Sequence, residues 1–392
     1  MPAQASRLRR ILGTAPLHEG IGLNFVTNRF YTRAPGSGAN NAPFTTLFPF
    51  TGGAQSYYRG SNGLLVASVL NTPRIEYDQG GNVLGFLSEA ARTNQILQSR
   101  DQTNAAWVKT TMTAAQTQTG ADGVANSASL LTATGANATS LQTIVQAAVS
   151  STVSFDIKRV TGSGVIGICQ DGVTFTDVTA QTNSSTYSRV TLVASQLNPI
   201  LGIRLVTSGD AIAVDFAGFE AGAFASSRIP TTAAPIARTA DVSTRTLGAE
   251  FSATQGTVVV TGRASPGQDA TLNHVLWSFD DGTAANRIQF RRTPAADTAQ
   301  FLGLVASVQQ FSLTGTYSNS TNFKEASAWA LNDFSLSFNG AAPTTTGAGT
   351  LPTMTALGLG NFTSASHANG HIKTFDYYPT RLDNATLQRL ST

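Results

Sequence analysis

At 392 residues with 12% charged positions, against roughly 25% in an ordinary soluble domain, the chain is long enough for two or three domains that bury their own cores without metal or disulfide support. No run of about 18 apolar residues occurs, and the opening MPAQASRLRRILG breaks at Gly13 before a signal-like apolar core forms, so neither a membrane span nor a secretory signal is expected. Cys169 is the single cysteine, which excludes an intramolecular disulfide and any multi-cysteine metal site and points to synthesis in a reducing compartment.

The net charge of +3 is not a nucleic-acid signal. Residues 1–33 carry Arg7, Arg9, Arg10, Arg29 and Arg33 against Glu19, a net of +4, leaving −1 for the rest. No basic stretch interleaved with stacking aromatics follows Arg33. Lysine is confined to Lys109, Lys158, Lys324 and Lys373. A bias toward arginine, with its planar multi-donor group, suits polar protein interfaces.

In chain order, residues 6–12 predict a helix under two turns long, with Leu8, Ile11 and Leu12 on one side. The first hundred residues otherwise read as irregular, with turn formers at 34–41, Gly52 and Gly80 and short strand-like pieces at 63–70 and 83–87. From Val153 the period becomes two: Val153, Phe155 and Ile157 alternate with polar residues, as do Leu201, Ile203 and Leu205, and then Ile212, Val214 and Phe216. Turn clusters at 170–172 and 207–210 separate the runs, which predicts an antiparallel sandwich. The stretch 226–236, with Pro230 and Pro235, reads as an extended linker pinned to a surface. Strand patterns resume at 257–261, at Val275, Trp277 and Phe279, at Ile288 and Phe290, and at Phe334, Leu336 and Phe338, the last running into the hairpin signal Asn339-Gly340. Asp383 is placed to cap a closing helix carrying Leu387 and Leu390. The fold class is therefore all-β, with two antiparallel sandwiches at 100–224 and 247–392, an N-terminal attachment region at 1–99 and a linker at 225–246.

Candidate chemistry is sparse. His367 and His371 have the spacing of zinc ligands on one helix face, but they lie where a loop enters a strand, with no third ligand nearby. Asp280 and Asp281 form a conceivable carboxylate pair for glycoside hydrolysis, and also an ordinary Asp-Asp-Gly turn. Glu325 and Asp333 are a second pair, with nothing local to raise either pKa. Trp277, Trp329 and Tyr377 are candidates for stacking on sugar rings, although Trp277 is in phase with the core residues Val275 and Phe279. Cys169 reads as a small buried residue and residues 161–164 as a hairpin turn rather than a phosphate loop. No catalytic, metal or cofactor-binding residue is assigned, and no cofactor is expected.

Four stretches carry a family resemblance: NTPRIEYD at 71–78 with GFLSEAARTN at 85–94; NAAWVK at 104–109; RIPTTAAPIARTADV at 228–242; and NGHI at 369–372 with YYPTRLDNATLQ at 377–388. In these residues and their order the chain resembles the lectin-like tail or virion-surface proteins of tailed bacteriophages. It departs at Ser88, where the family has a second acidic residue before Glu89, and at Arg228, where it has tyrosine. The resemblance implies a carbohydrate-binding-module-like jelly roll followed by a concanavalin A or laminin G-like domain. It also implies a non-enzymatic virion component: a tail fibre, spike or surface decoration that binds host-cell glycan. The partners expected are other virion proteins through the N-terminal region, host glycan through the loops at 265–270, 340–350 and 361–369, and further copies of the chain, as a trimer. Nucleic acid and membrane insertion are not expected, and the implied location is the virion surface after synthesis in the bacterial cytoplasm. The rival readings are a virion-attached glycan depolymerase, for which no repeat of 20 to 50 residues is found, and an assembly protein that binds no sugar.

Overall fold

The computed structural model describes residues 17–267, 271–294, 298–362 and 366–392. The alternation at Val153, Phe155 and Ile157 becomes the long strand Val149–Thr161, with those three side chains fully buried. It lies in a five-stranded antiparallel sheet with Met112–Gln118, Ala128–Ala133, Ala211–Ala221 and Ser188–Gln196. A second five-stranded sheet packs against it, built of Val108–Thr110, Ala138–Thr143, Ile200–Leu205, Ile166–Cys169 and Thr176–Asp177. Leu201, Ile203 and Leu205 from this sheet meet Val153, Phe155, Val190 and Phe219 from the other in one core. This is the first sandwich.

The second sandwich stacks a ten-stranded sheet on a seven-stranded one. The larger sheet supplies Val258, Val260, Phe323, Trp329, Phe375 and Tyr377 to the shared core, and the smaller supplies Trp277, Phe279, Phe290 and Phe301. The helix Asn384–Leu390 is capped by Asp383, which accepts from the Thr386 N–H at 2.8 Å. Leu387 seats it on Val259, Ala326 and Ala328, on the outer face of the larger sheet. Asn339 and Gly340 both take positive φ and turn the chain between Asp333–Phe338 and Thr344–Thr346. Among the described residues no helix is long and apolar enough to cross a membrane.

The expectation of an irregular N-terminal region is corrected. Gly20–Asn24 pairs with Gly370–Tyr378 and with Arg29–Arg33, so it forms part of the ten-stranded sheet. Ile21, Leu23, Phe25, Phe30, Phe44, Phe48 and Phe86 belong to the second sandwich's core. The signal is alternation too short to stand out: Ile21 and Leu23 are separated by Gly22, whose missing Cβ leaves room for the Tyr31 ring. Between these pieces, the hairpin of Tyr57–Arg59 and Leu65–Ala67 turns to the first sandwich, where Leu65 and Tyr57 cover Tyr187, Ala213 and Phe216. The helix predicted at 6–12 lies outside the described residues.

The stretch read as a linker is also built into the structure. Ile236–Arg238 pairs with Arg92–Asn94, and Val242–Thr246 is a strand of the seven-stranded sheet. The chain therefore crosses between sandwiches through hydrogen-bonded backbone.

Candidate functional site

The residues with catalytic potential do not converge. Asp280 accepts from Ser278 Oγ at 3.0 Å and the Gly282 N–H at 2.9 Å, while Asp281 accepts from Thr283 Oγ1 at 2.6 Å and Asn286 Nδ2 at 2.8 Å. Each carboxylate closes its own part of the turn. Burial pushes Asp280 up, whereas the hydrogen bonds from Thr283 and Asn286 hold half-buried Asp281 down.

Glu325 and Asp333 sit toward opposite ends of a hairpin, paired respectively with Phe338 and Ala330. Five strand residues between them amount to about 17 Å, beyond the roughly 5–9.5 Å of glycosidase carboxyl pairs. Asp333 is half exposed and bound to Arg381 at 2.8 Å. The expectation that nothing raises the Glu325 pKa is corrected. Its side chain is fully buried, takes one hydrogen bond from Trp277 Nε1 at 3.3 Å, and is pushed up to about 8 by burial. The alternation of Phe323, Glu325, Ser327 and Trp329 carried this signal, since it sets the carboxyl in phase with two core aromatics.

Trp277, Trp329 and Tyr377 are all fully buried and stack on one another, with centroids 6.2 Å and 6.0 Å apart along the series. They form core, so the proposed sugar platform is absent at all three. A partly exposed aromatic that sequence reasoning missed is Phe175, with the Arg204 guanidinium 4.5 Å from its ring on the outer face of a first-sandwich sheet. Cys169 is buried and its thiol is pushed up to about 11 by burial. Residues 161–164 form a turn fixed by Asp210, which accepts from the Gly164 N–H at 2.9 Å.

His371 faces Glu76, with Nε2 and Oε2 2.7 Å apart. His367 is buried, and burial lowers its pKa to about 4. Among the described residues no group of three or more His, Cys, Asp or Glu side chains is arranged to hold a metal ion. In two of the three loops expected to face outward, described residues at the loop ends are anchored by hydrogen bonds to the body of the fold. Ser265 binds Arg292 and His274, Asn361 accepts from the Ser243 N–H at 2.8 Å, and Asn369 accepts from the Ala90 N–H at 2.9 Å. Residues 268–270 and 363–365 of these loops lie outside the described residues.

What does converge is a part of the stretches that carry the resemblance, residues 71–78, 85–94, 228–242 and 369–372. Arg74 is buried, with Nη1 2.7 Å from Glu89 and 2.6 Å from Ser227 Oγ, and Nη2 on Asp241. Asp241 also accepts from the Glu89 N–H at 2.9 Å, and Arg238 Nη2 lies 3.6 Å from Glu89 while donating to the Ala90 carbonyl. Two cations and two carboxylates thus balance at the junction of the sandwiches. Burial acts to raise the Glu89 carboxyl, but Arg238, Arg74 and the Ser227 hydrogen bonds overcome it and hold the group well below the usual range. Asn94 uses its whole amide: Nδ2 donates to the carbonyls of Ala217 and Ile229, and Oδ1 accepts from the N–H groups of Phe219 and Ile96.

The two departures fit the same frame. Arg228 makes a bidentate pair with Asp156, both contacts at 2.9 Å, and so ties the crossing segment to the first sandwich. Ser88 donates to the Gly360 carbonyl at 2.7 Å in a buried position. A Cβ on Gly360 would lie 2.5 Å from that of Ser88, and Gly360 takes a positive φ of 74°, so this close approach requires glycine at 360. Beside the network a pocket of about 120 Å³ is lined by Glu76, Arg189, Ser226, Arg228, Asn369 and His371.

No protein-family model matches the sequence, and no curated protein does. Among solved structures, the CBM40 of Ruminococcus gnavus IT-sialidase bound to α2,3-sialyllactose is similar over 36% of this chain and 84% of that one, at 15% identity and a TM-score of 0.31. The binding domain of botulinum neurotoxin DC in complex with SialylT is similar over 38% of this chain and 39% of that one, at 9% identity and a TM-score of 0.31. Sheep galectin-11 in complex with glycerol is similar over 34% and 95%, at 9% identity and a TM-score of 0.25. Overlaps this partial leave the site and its ligand to the geometry above. The fold itself is all-β, built of antiparallel sheets stacked as two sandwiches.

Proposed function

We propose that this chain is a non-enzymatic surface component of a tailed-phage virion, in which two sandwiches held as one body present their open faces to host-cell glycan. The observation that supports this is the convergence of residues 71–78, 85–94, 228–242 and 369–372 on one buried junction, because the stretches that resemble virion-surface proteins then have a common physical task. That task is to fix the direction in which the second sandwich points, as a weight-bearing adhesion module requires. Assembly as a homotrimer belongs to the same reading.

The test applies the full chain to a glycan array and, in parallel, incubates it with host polysaccharide under a reducing-end assay. Glycan binding without release of reducing ends is expected. Release of reducing ends would replace the proposal with a depolymerase, and no glycan binding combined with normal particle incorporation would replace it with a bare assembly protein. Solution mass measurement reads out the oligomer.

A further inference from the structure

Four lysines occur in the chain, and two of them, Lys324 and Lys373, line one cavity of about 460 Å³ on the outer face of the ten-stranded sheet. Ser391 and Thr392, which follow the helix Asn384–Leu390, are in the lining. Thr261, Asn322, Asn339 and Thr392 complete the polar rim; the lining holds no Asp or Glu side chain, and the backbone carboxyl group of Thr392 in it is engaged by Lys324. The floor is opened by Gly262, where a Cβ would lie 2.3 Å from the His371 carbonyl and 2.8 Å from the Phe323 ring.

The hydrogen bonds around this cavity leave donors facing the space. Asn339 uses Oδ1 to accept from the Lys324 N–H at 2.8 Å, and Asn322 uses Oδ1 to accept from Lys373 at 3.4 Å. Both side-chain amide NH₂ groups remain as donors. Thr261 and Thr374 share a hydroxyl hydrogen bond at 2.8 Å. Lys324 donates to the Thr392 backbone oxygen, whereas Lys373 is held only by the long contact to Asn322. A rim of two ammonium groups and two amide donors around an apolar floor is complementary to a ligand that carries an anion and several oxygens on a ring with an apolar face.

From this we infer that the cavity binds a carboxylated sugar, a uronic or related acidic residue of a surface polysaccharide, with Lys373 on the carboxylate and the Asn322 and Asn339 amides on ring hydroxyls. The inference rests on the glycan-binding reading and adds to it a place and a charge. Its size suits one or two sugar units, so each contact is weak and gains from many copies on a particle.

The experiment titrates the full chain by NMR or calorimetry with a glucuronic acid-containing disaccharide, its uncharged methyl ester and inorganic phosphate. The acidic disaccharide is expected to bind, the ester to bind about tenfold more weakly, and Lys373→Gln to weaken the acid about tenfold while leaving the ester unchanged. Asn322→Ala, confirmed folded, is expected to weaken both sugars. Equal affinity of folded Lys373→Gln and the unmodified chain for the acid would overturn the site. Phosphate binding as tightly as the disaccharide would overturn the saccharide assignment in favour of a plain anion site. A glycan array separates the levels: neutral glycans bound while no acidic glycan is bound remove this site and keep the adhesion reading, and no glycan bound at all removes both.

Discussion

Glu325 accepts a hydrogen bond from Trp277 Nε1 at 3.3 Å in the core between the two sheets of the second sandwich, with its other oxygen unpartnered among the described residues. Burial holds this carboxyl in its protonated form up to a pH of about 8, against 4.5 when unperturbed. Below 4.5 both folded and unfolded chains carry the proton. As pH rises the unfolded chain ionises first, so stability falls until the folded group titrates near 8, by an amount on the order of 4 kcal/mol. Glu325→Gln keeps an acceptor for Trp277 and removes the titration. Its melting temperature relative to the parent is expected to rise steadily between pH 5 and pH 8.5, and a difference constant with pH would refute the assignment.

Arg74 is the shared partner of Glu89 and Asp241. Replacing it with methionine leaves two buried carboxylates facing Arg238 alone, a loss expected to cost about 3–5 kcal/mol. Adding Asp241→Asn in the same chain is expected to recover part of that loss. Denaturant unfolding of the single and double variants gives the coupling directly.

Lys109 closes the loop that opens the first sandwich. Its Nζ donates to the carbonyls of Gln102 at 2.9 Å, Asn104 at 3.2 Å and Trp107 at 2.7 Å, with Thr103 at 3.4 Å. Lys109→Met is expected to destabilise by about 1–2 kcal/mol, reduced from the buried-charge figure because the group is partly exposed. Amide exchange across residues 102–107 should accelerate by a matching factor.

Deletion of residues 1–33 is expected to cripple the second sandwich. Ile21, Leu23, Phe25 and Phe30 are all in its core, each contributing about 1.5–3 kcal/mol, and the long strand Gly370–Tyr378 loses a neighbour. Low soluble yield and loss of near-ultraviolet circular dichroism are the expected results. A well-folded truncated chain would show that these strands are dispensable.

The sandwiches were legible because period-two alternation at Val153, Leu201, Phe334 and their neighbours is a direct image of half-buried strands. The N-terminal strands were not, because their pieces are two to six residues long and the strands that fix several of them in the second sandwich, Gly370–Tyr378 and Val242–Thr246, lie far along the chain. The buried carboxyl of Glu325 was visible in its phase with Phe323 and Trp329, yet the residue type argued for the surface. Arg74, Glu89, Arg238 and Asp241 stood in the stretches that carried the resemblance, but opposite charges spread over 168 positions give no local sign that they meet. The lysine cavity was beyond reach for the same reason, since Lys324 and Lys373 come together only through the order of strands in the sheet.

The pairing of Gly20–Asn24 with Gly370–Tyr378 sets a schedule for synthesis. A chain emerging from the ribosome can complete the first sandwich once the strand Ala211–Ala221 is out, because all its paired strands have been made by then. The opening strands must wait, with one backbone edge unpaired and their phenylalanines uncovered, until Gly370–Tyr378 has been made. Such non-local closure is slow and leaves a sticky edge exposed meanwhile. Refolding from denaturant is therefore expected to show a fast phase from the first sandwich and a slow, concentration-sensitive phase that ends when the two ends of the chain zip together.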